Sequence, residues 1–164
     1  MRGFPAGPDG LWRLDALAAA EWARSRPWSG ARAPVLMGWS NGDSTTLAAG
    51  AAAAPGAISA AIPVYSGCGN AAALRLGTAP LLMLLGAEDD WTPPQPCQQL
   101  AARASEVITL ETYGGAHHGF DRLGGGLRTR YPPNGRSVSL GPGPAARTAA
   151  RLRMAAFLHA AAPH

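Results

Sequence analysis

Lysine is absent from this chain of 164 residues, and all 14 basic residues are arginine. They exceed the acidic residues by four and give a sequence pI near 9.8, yet they are scattered from Arg2 to Arg153 without forming a basic run. A charge dispersed in this way leaves no electrostatic footprint for a nucleic acid, so no nucleic-acid partner is expected. Charged residues of both signs make up only 15% of the chain, but no stretch of about 18 uninterrupted apolar residues occurs. A membrane-spanning helix is excluded on that ground, and no membrane partner is expected. The apolar h-region of a secretory signal is also missing, because Arg2 is followed by the turn cluster Gly7-Pro8-Asp9-Gly10. As written, the chain is expected in the cytoplasm, and in the periplasm or outside the cell if its natural N-terminus lies upstream. Two cysteines, Cys68 and Cys97, are too few for a disulfide framework and leave one bridge or two free thiols open. Aromatic residues are only 7% of the chain. Much of its apolar character therefore comes from alanine and glycine, and bulky core formers have to be concentrated in a few runs. The length suits one domain spanning residues 1–164 and not two.

Those runs alternate between two kinds. Residues 11–23 place apolar side chains at helical spacing (Leu11, Trp12, Leu14, Leu17, Ala18, Trp22), with Asp9 where an N-cap belongs. Ser25 to Gly30 breaks that helix. Residues 33–37 form a short apolar run of the buried parallel-strand kind, and a small-residue helix runs to about Ala54, ended by Pro55-Gly56. Residues 58–65 are expected to form a second strand, weakened by Pro63, which has no N–H to give to a ladder. The five apolar residues Leu81 to Leu85 are the strongest strand pattern. A helix is expected over 96–104, a half-exposed edge strand over 107–113, and a closing helix over 145–161 with Ala149, Leu152, Met154, Phe157 and Leu158 inward. Residues 123–144, dense in glycine, proline and arginine, are expected to be a long surface loop. Strands alternating with helices over this length imply a three-layer α/β arrangement around a mostly parallel sheet. In such sheets the functional residues gather beyond the carboxyl ends of the strands.

Three polar clusters fall at those ends. Gly38-Trp39-Ser40-Asn41-Gly42, between an apolar run and a helix, has the strand, sharp turn and helix context of a nucleophile elbow. A serine on such a turn has close neighbours, and Gly38 and Gly42 are the positions where a β-carbon is expected to collide. The backbone N–H of Asn41 is expected to face a developing oxyanion. A serine hydroxyl needs a base to take its proton, and an imidazole needs a carboxylate to fix its tautomer. His118, followed by Gly119-Phe120, is the base candidate, with His117 a loop side chain that has its own hydrogen bond. Asp89 is the acid candidate, because it fits Gly-x-x-Asp-x-x-x-Pro from Gly86 to Pro93, and Asp90 is expected to be a solvated or capping carboxylate. The order Ser40, Asp89, His118 is that of α/β-hydrolases. Adjacent histidines cannot easily turn both rings to one ion, so no metal is expected, and nothing in the chain calls for a cofactor. Trp39 and Trp91 either line an apolar substrate pocket or serve packing. Cys68 and Cys97 follow the ends of neighbouring strands, which makes a bridge between them plausible.

With these residues the chain resembles the dienelactone hydrolase family of α/β-hydrolases, in its serine-nucleophile branch. The resemblance rests on Gly38-Trp39-Ser40-Asn41-Gly42, on Gly86-Ala87-Glu88-Asp89-Asp90-Trp91-Thr92-Pro93, and on Tyr113-Gly114-Gly115-Ala116-His117-His118-Gly119-Phe120-Asp121. It implies nucleophile Ser40, acid Asp89 and base His118. Better-known members use cysteine as nucleophile, so Ser40 implies general esterase or lactonase chemistry on a small-molecule substrate. Family members are longer, and the counterpart of their N-terminal strands and second oxyanion loop is missing here. The expectation is thus an N-terminally truncated hydrolase-like domain whose elbow strand has a bare edge, open to homo-oligomerisation. A non-catalytic binding or assembly module is the alternative.

Overall fold

The computed structural model describes residues 11–30, 32–69, 74–132 and 135–161. Its centre is a sheet of four parallel strands in the order β1-β2-β3-β4: Val35–Trp39, Ala60–Val64, Leu81–Gly86 and Ile108–Tyr113. Strand order equals chain order, so the connections run in one direction across the sheet. Three helices, α1 (Leu11–Arg24), α2 (Asn41–Ala52) and α3 (Gln95–Arg103), precede or link the strands, and α4 (Pro144–Ala161) closes the chain. Pro27–Ser29 forms a single 3-10 turn where the first helix was expected to break. Asp9, expected as the cap of α1, lies outside the described residues.

The run Leu81 to Leu85 explains the layering. Alternate side chains of a strand point to opposite faces. Leu81, Met83 and Leu85 accordingly join a core with Ala20 of α1, Leu47 of α2 and Leu100 of α3. Leu82 and Leu84 join a second core with Ile62, Val64, Phe120, Ala150 and Phe157. The sheet thus lies between α1, α2 and α3 on one face and α4 on the other. All five residues are at most 1% exposed, and burial of each contributes about 1.5–3 kcal/mol relative to exposure. The inward face of α4 differs from the expected one: Ala146, Ala150 and Phe157 are buried with Met154 partly so, while Leu152 is 69% exposed. Alanine counts toward an inward stripe as well as leucine does, and Ala146, Ala150 and Met154, each four residues apart, set the stripe that faces the sheet.

Pro63 does sit in an interior strand. The β1–β2 ladder is complete over five pairs, but β2–β3 shows only Ala61↔Leu81 and Val64↔Leu84. Proline has no N–H to donate, and the gap falls beside it. Strands β1 and β4 are the sheet edges.

Residues 123–144 hold more structure than a loop. Two short antiparallel strands, β5 (Arg128–Arg130) and β6 (Val138–Leu140), pair as a hairpin, and α4 begins at Pro144. Three-residue strands carry too little alternation to register as a pattern. This pair is held by the tertiary contacts described below.

Candidate active site

Ser40 follows β1 directly and occupies a rarely populated backbone conformation, φ 54° and ψ −116°. Such strain persists only where the surroundings over-determine it. Here the Ser40 N–H donates to the Val64 carbonyl at 3.3 Å and the Asp43 N–H to the Ser40 carbonyl at 3.1 Å. Gly38 makes the turn sterically feasible, because a β-carbon there would run into the Gly42 carbonyl and the Thr46 hydroxyl. Gly42 does not share that role: a β-carbon on it meets nothing within 4 Å. The close approach is between the end of β1 and the first turn of α2, and Gly42 contributes its carbonyl to that contact. Asn41 opens α2, so its N–H belongs to the helix terminus where unpaired donors and the positive end of the dipole coincide.

Asp89 lies three residues beyond β3 and is 3% exposed. Its Oδ1 accepts the backbone N–H groups of Trp91 at 3.0 Å and Thr92 at 2.8 Å. Its Oδ2 lies 2.9 Å from His118 Nδ1 and 2.8 Å from the Thr92 hydroxyl. His118 comes from the loop after β4 and is 4% exposed. That loop packs on the end of β3: Glu88 N–H donates to the Ala116 carbonyl at 3.0 Å, and a β-carbon on Gly86 would strike the same carbonyl. The glycine of the Gly-x-x-Asp pattern thus lets the loops that carry Asp89 and His118 touch. His118 Nε2 is 3.0 Å from Ser40 Oγ. An ionised carboxylate only accepts, so Nδ1 carries the proton toward Asp89 and Nε2 is free to accept from Ser40. The order hydroxyl, imidazole, carboxylate can take a proton from Ser40 and stabilise the resulting imidazolium.

Aromatic rings pack against the imidazole from two residues. The Tyr65 ring centroid is 4.6 Å away and that of Trp91 is 4.8 Å away. Tyr65 directly follows β2, also has a positive φ of 46°, and donates its hydroxyl to Asp121 at 3.1 Å. Burial, reinforced by the Asp121 carboxylate, raises the Tyr65 phenol far above its ordinary range, so it stays protonated. Thr92 Oγ1 joins the site further: it lies 3.0 Å from the Tyr65 carbonyl and 3.2 Å from His118 Nδ1. Its single proton serves one acceptor at a time. Tyr65 and Thr92 carry no motif of their own. The only sequence signal was their position, at the end of a strand and just after Asp89.

A cleft of about 360 Å³ opens over Ser40, lined by Tyr65, Trp91, His118, Gly119, Arg122, Arg130 and Leu140. That volume is in the range of small-molecule sites. Trp91 belongs to it. Trp39, 42% exposed, is not among its lining residues. Asp90, expected to be a solvated or capping carboxylate, is partly exposed, and its Oδ1 accepts the Ser139 N–H of β6 at 2.8 Å. His117 is half-buried, and its Nδ1 has no hydrogen-bond partner among the described residues. Cys68 and Cys97 are joined in a disulfide that ties the loop after β2 to α3. Among the described residues no group of His, Cys, Asp and Glu is placed to hold a metal ion.

One buried acid stands outside this chain of contacts. Asp43, in the first turn of α2, is 1% exposed. Its Oδ1 lies 3.2 Å from the Ser44 hydroxyl, and its Oδ2 has no hydrogen-bond partner among the described residues. Burial pushes its carboxyl up to about 8, against the opposing pull of the Ser66 and Ser44 hydroxyls and the Gly67 backbone, with the Asp89 charge a small addition.

Comparison with known proteins agrees with this architecture. No protein-family model and no curated protein sequence matches the chain, but solved structures do. A protein of Klebsiella pneumoniae named for dienelactone hydrolase superposes with a TM-score of 0.60 at 20% identity, over 88% of this chain and 60% of its own. A dienelactone hydrolase-like promiscuous phosphotriesterase from metagenomic libraries gives 0.62 at 18% identity, over 92% and 62%. Thermogutta terrifontis esterase 2, phosphorylated by paraoxon, gives 0.59 at 19% identity, over 90% and 62%. The chain therefore spans about three fifths of the length of these neighbours. At such identities the likeness is one of fold: over the part it covers, this chain shares the α/β architecture with a parallel sheet of these dienelactone hydrolase-like and esterase structures.

Proposed function

We propose that the chain is a serine hydrolase that cleaves carboxylic esters or lactones through an acyl-serine intermediate. The observation that carries this reading is the hydrogen-bonded series Ser40 Oγ, His118 Nε2, His118 Nδ1, Asp89 Oδ2, at 3.0 and 2.9 Å. In it Ser40 attacks the carbonyl carbon as His118 takes its proton. The tetrahedral oxyanion forms near the N-terminus of α2, where the Asn41 N–H and the helix dipole favour negative charge. His118 then protonates the leaving alcohol, and water repeats the sequence to release the acid. Asp89, held by two backbone N–H groups, keeps the imidazole in the required tautomer. Trp91 and Tyr65 supply apolar surface beside Ser40, and Arg122 and Arg130 at the cleft favour esters that carry negative charge. A serine-directed fluorophosphonate probe and p-nitrophenyl esters test the reading together. Wild-type protein is expected to be labelled at Ser40 and to turn over ester, and Ser40→Ala to do neither. Equal turnover by the two proteins would refute it.

A second reading has its own observations. Among the described residues β1, which leads into Ser40, is paired on one side only. Only one oxyanion donor, Asn41, is proposed, and loss of one such donor costs about 10²–10³ in turnover. These features support a catalytically weak chain that acts as a binding or assembly module, including association of two copies along the β1 edge. Folded protein that resists the fluorophosphonate probe would favour this reading over the first.

A further inference from the structure

The β5–β6 hairpin forms a wall of the cleft, and its hold on the rest of the molecule is specific. Its register pairs Arg128 with Leu140, Thr129 with Ser139 and Arg130 with Val138. Residues paired in this way share a face. Val138 and Leu140 are buried, and on that same face Arg130 and Leu140 reach the cleft beside Ser40. An isolated two-stranded ribbon of this length does not hold its shape in water. Two of its attachments are backbone contacts to the base loop: Leu140 bridges to His118, with Gly141 N–H donating to the His118 carbonyl at 3.0 Å, and Gly143 N–H donates to the Phe120 carbonyl at 2.8 Å. The third is the Asp90 carboxylate, 49 positions earlier in sequence, accepting the Ser139 N–H at 2.8 Å.

We propose that Asp90 is a positioning residue for substrate: by holding the Ser139 amide it fixes the Arg130–Leu140 wall and so sets which groups fit beside Ser40. This rests on reading the cleft as an ester site. Asp89 and Asp90 are neighbours in one turn, so the turn that aims the imidazole also aims the wall opposite it. The bond is made at the residue next to Leu140, so it acts directly on the wall. Without Asp90 the wall moves away from Ser40. Substrate groups long enough to reach it then lose contact, whereas the smallest acyl groups lose little.

The test compares Asp90→Ala with Asp90→Asn, which keeps an accepting oxygen, in the full chain. Two readouts are used: KM and kcat for p-nitrophenyl acetate and butyrate, and hydrogen exchange at the Ser139 amide. Two extra methylenes in wall contact are worth about tenfold in binding. Asp90→Ala is therefore expected to reduce the KM preference for butyrate over acetate by about tenfold, with a smaller change in kcat. Loss of the bond should speed Ser139 exchange by about tenfold or more, and Asp90→Asn should restore both readouts. An unchanged preference and unchanged exchange in Asp90→Ala, or an Asn variant as impaired as the Ala one, would overturn the proposal. Should Asp90→Ala not fold, Leu140→Ala reads the wall directly. A shift of the butyrate preference in the same direction supports the proposal, and a wild-type preference overturns it. If wild type turns over neither ester, that failure counts against the hydrolase reading, while exchange at Ser139 with Asn rescue still decides the anchor.

Discussion

Replacing Asp43 by asparagine is expected to stabilise the protein, by an amount that depends on pH in a defined way. In the folded chain the Asp43 carboxyl is pushed up to about 8 from an ordinary 3.8, chiefly because burial penalises the charge. Between those values the unfolded chain has released the proton and the folded chain retains it. The folded state thus binds more protons, and stability falls as pH rises. The contribution of Asp43 is complete below about 3.8 and is lost as pH climbs through about 8. Each pKa unit corresponds to about 1.36 kcal/mol. The roughly three units from 3.8 to pH 7 therefore cost about 4 kcal/mol, and the cost levels off near 6 kcal/mol above pH 8, before any relaxation of the pocket. Asparagine mimics the neutral carboxyl in shape and does not titrate. The variant should match wild type near pH 4 and gain steadily to pH 8, by roughly 10 °C in Tm at pH 7 at about 2–4 °C per kcal/mol for a domain of this size. Thermal unfolding followed by circular dichroism at half-unit steps from pH 4.5 to 9 measures the difference. A Tm difference that stays constant over that range would refute the reasoning, because it would show that Asp43 titrates alike in both states.

Two further outcomes follow from the turn and the bridge. Gly38→Ala is expected to cost more than about 4 kcal/mol or to prevent folding, since its β-carbon meets the backbone of α2. Gly42→Ala should change Tm by only a few degrees, and equal losses in the two variants would contradict the assignment of the close approach to Gly38. Reduction of Cys68–Cys97, which closes a loop with a sequence separation of 29, should cost about 3–4 kcal/mol by the chain-entropy estimate, read as a drop in denaturant midpoint with and without a reducing agent.

The parts of this molecule that could be read in sequence are those whose physics is local. The leucine run of β3 announces a strand buried on both faces, and Ser40, Asp89 and His118 each follow a segment legible as a strand, half-exposed in the case of β4. Gly38 was legible for the same reason, as the end of a strand meeting the start of a helix. What could not be read depends on contacts between distant segments. The hairpin residues Arg128, Thr129 and Arg130 are all exposed and alternate no apolar side chains, and their place is fixed by Asp90 and by the backbone of His118. Tyr65 adopts a positive φ that no local signal calls for, with its ring against His118 and its hydroxyl on Asp121. Asp43 has the look of an ordinary first-turn acid, and only the packing of α2 against β1 and β2 shows that it is buried.

The missing bond beside Pro63 has a mechanical consequence. It weakens the boundary between two leaves of the molecule, one made of β1, α2 and β2, the other of β3, α3 and β4. Ser40 belongs to the first leaf, and Asp89 and His118 to the second. Near the site the boundary is crossed by the Tyr65 N–H to the Leu84 carbonyl, the Thr92 hydroxyl to the Tyr65 carbonyl, the Tyr65 hydroxyl to Asp121, the contact of Ser40 with His118, and the bridge from Cys68 to Cys97. A slip of a fraction of an ångström along that boundary would lengthen the 3.0 Å contact from Ser40 to His118, and it is resisted by the two cores, each of which draws side chains from both leaves. The alignment of Ser40 with His118 is therefore a property of the seam, and the sulfur bridge lies where it holds the seam in register.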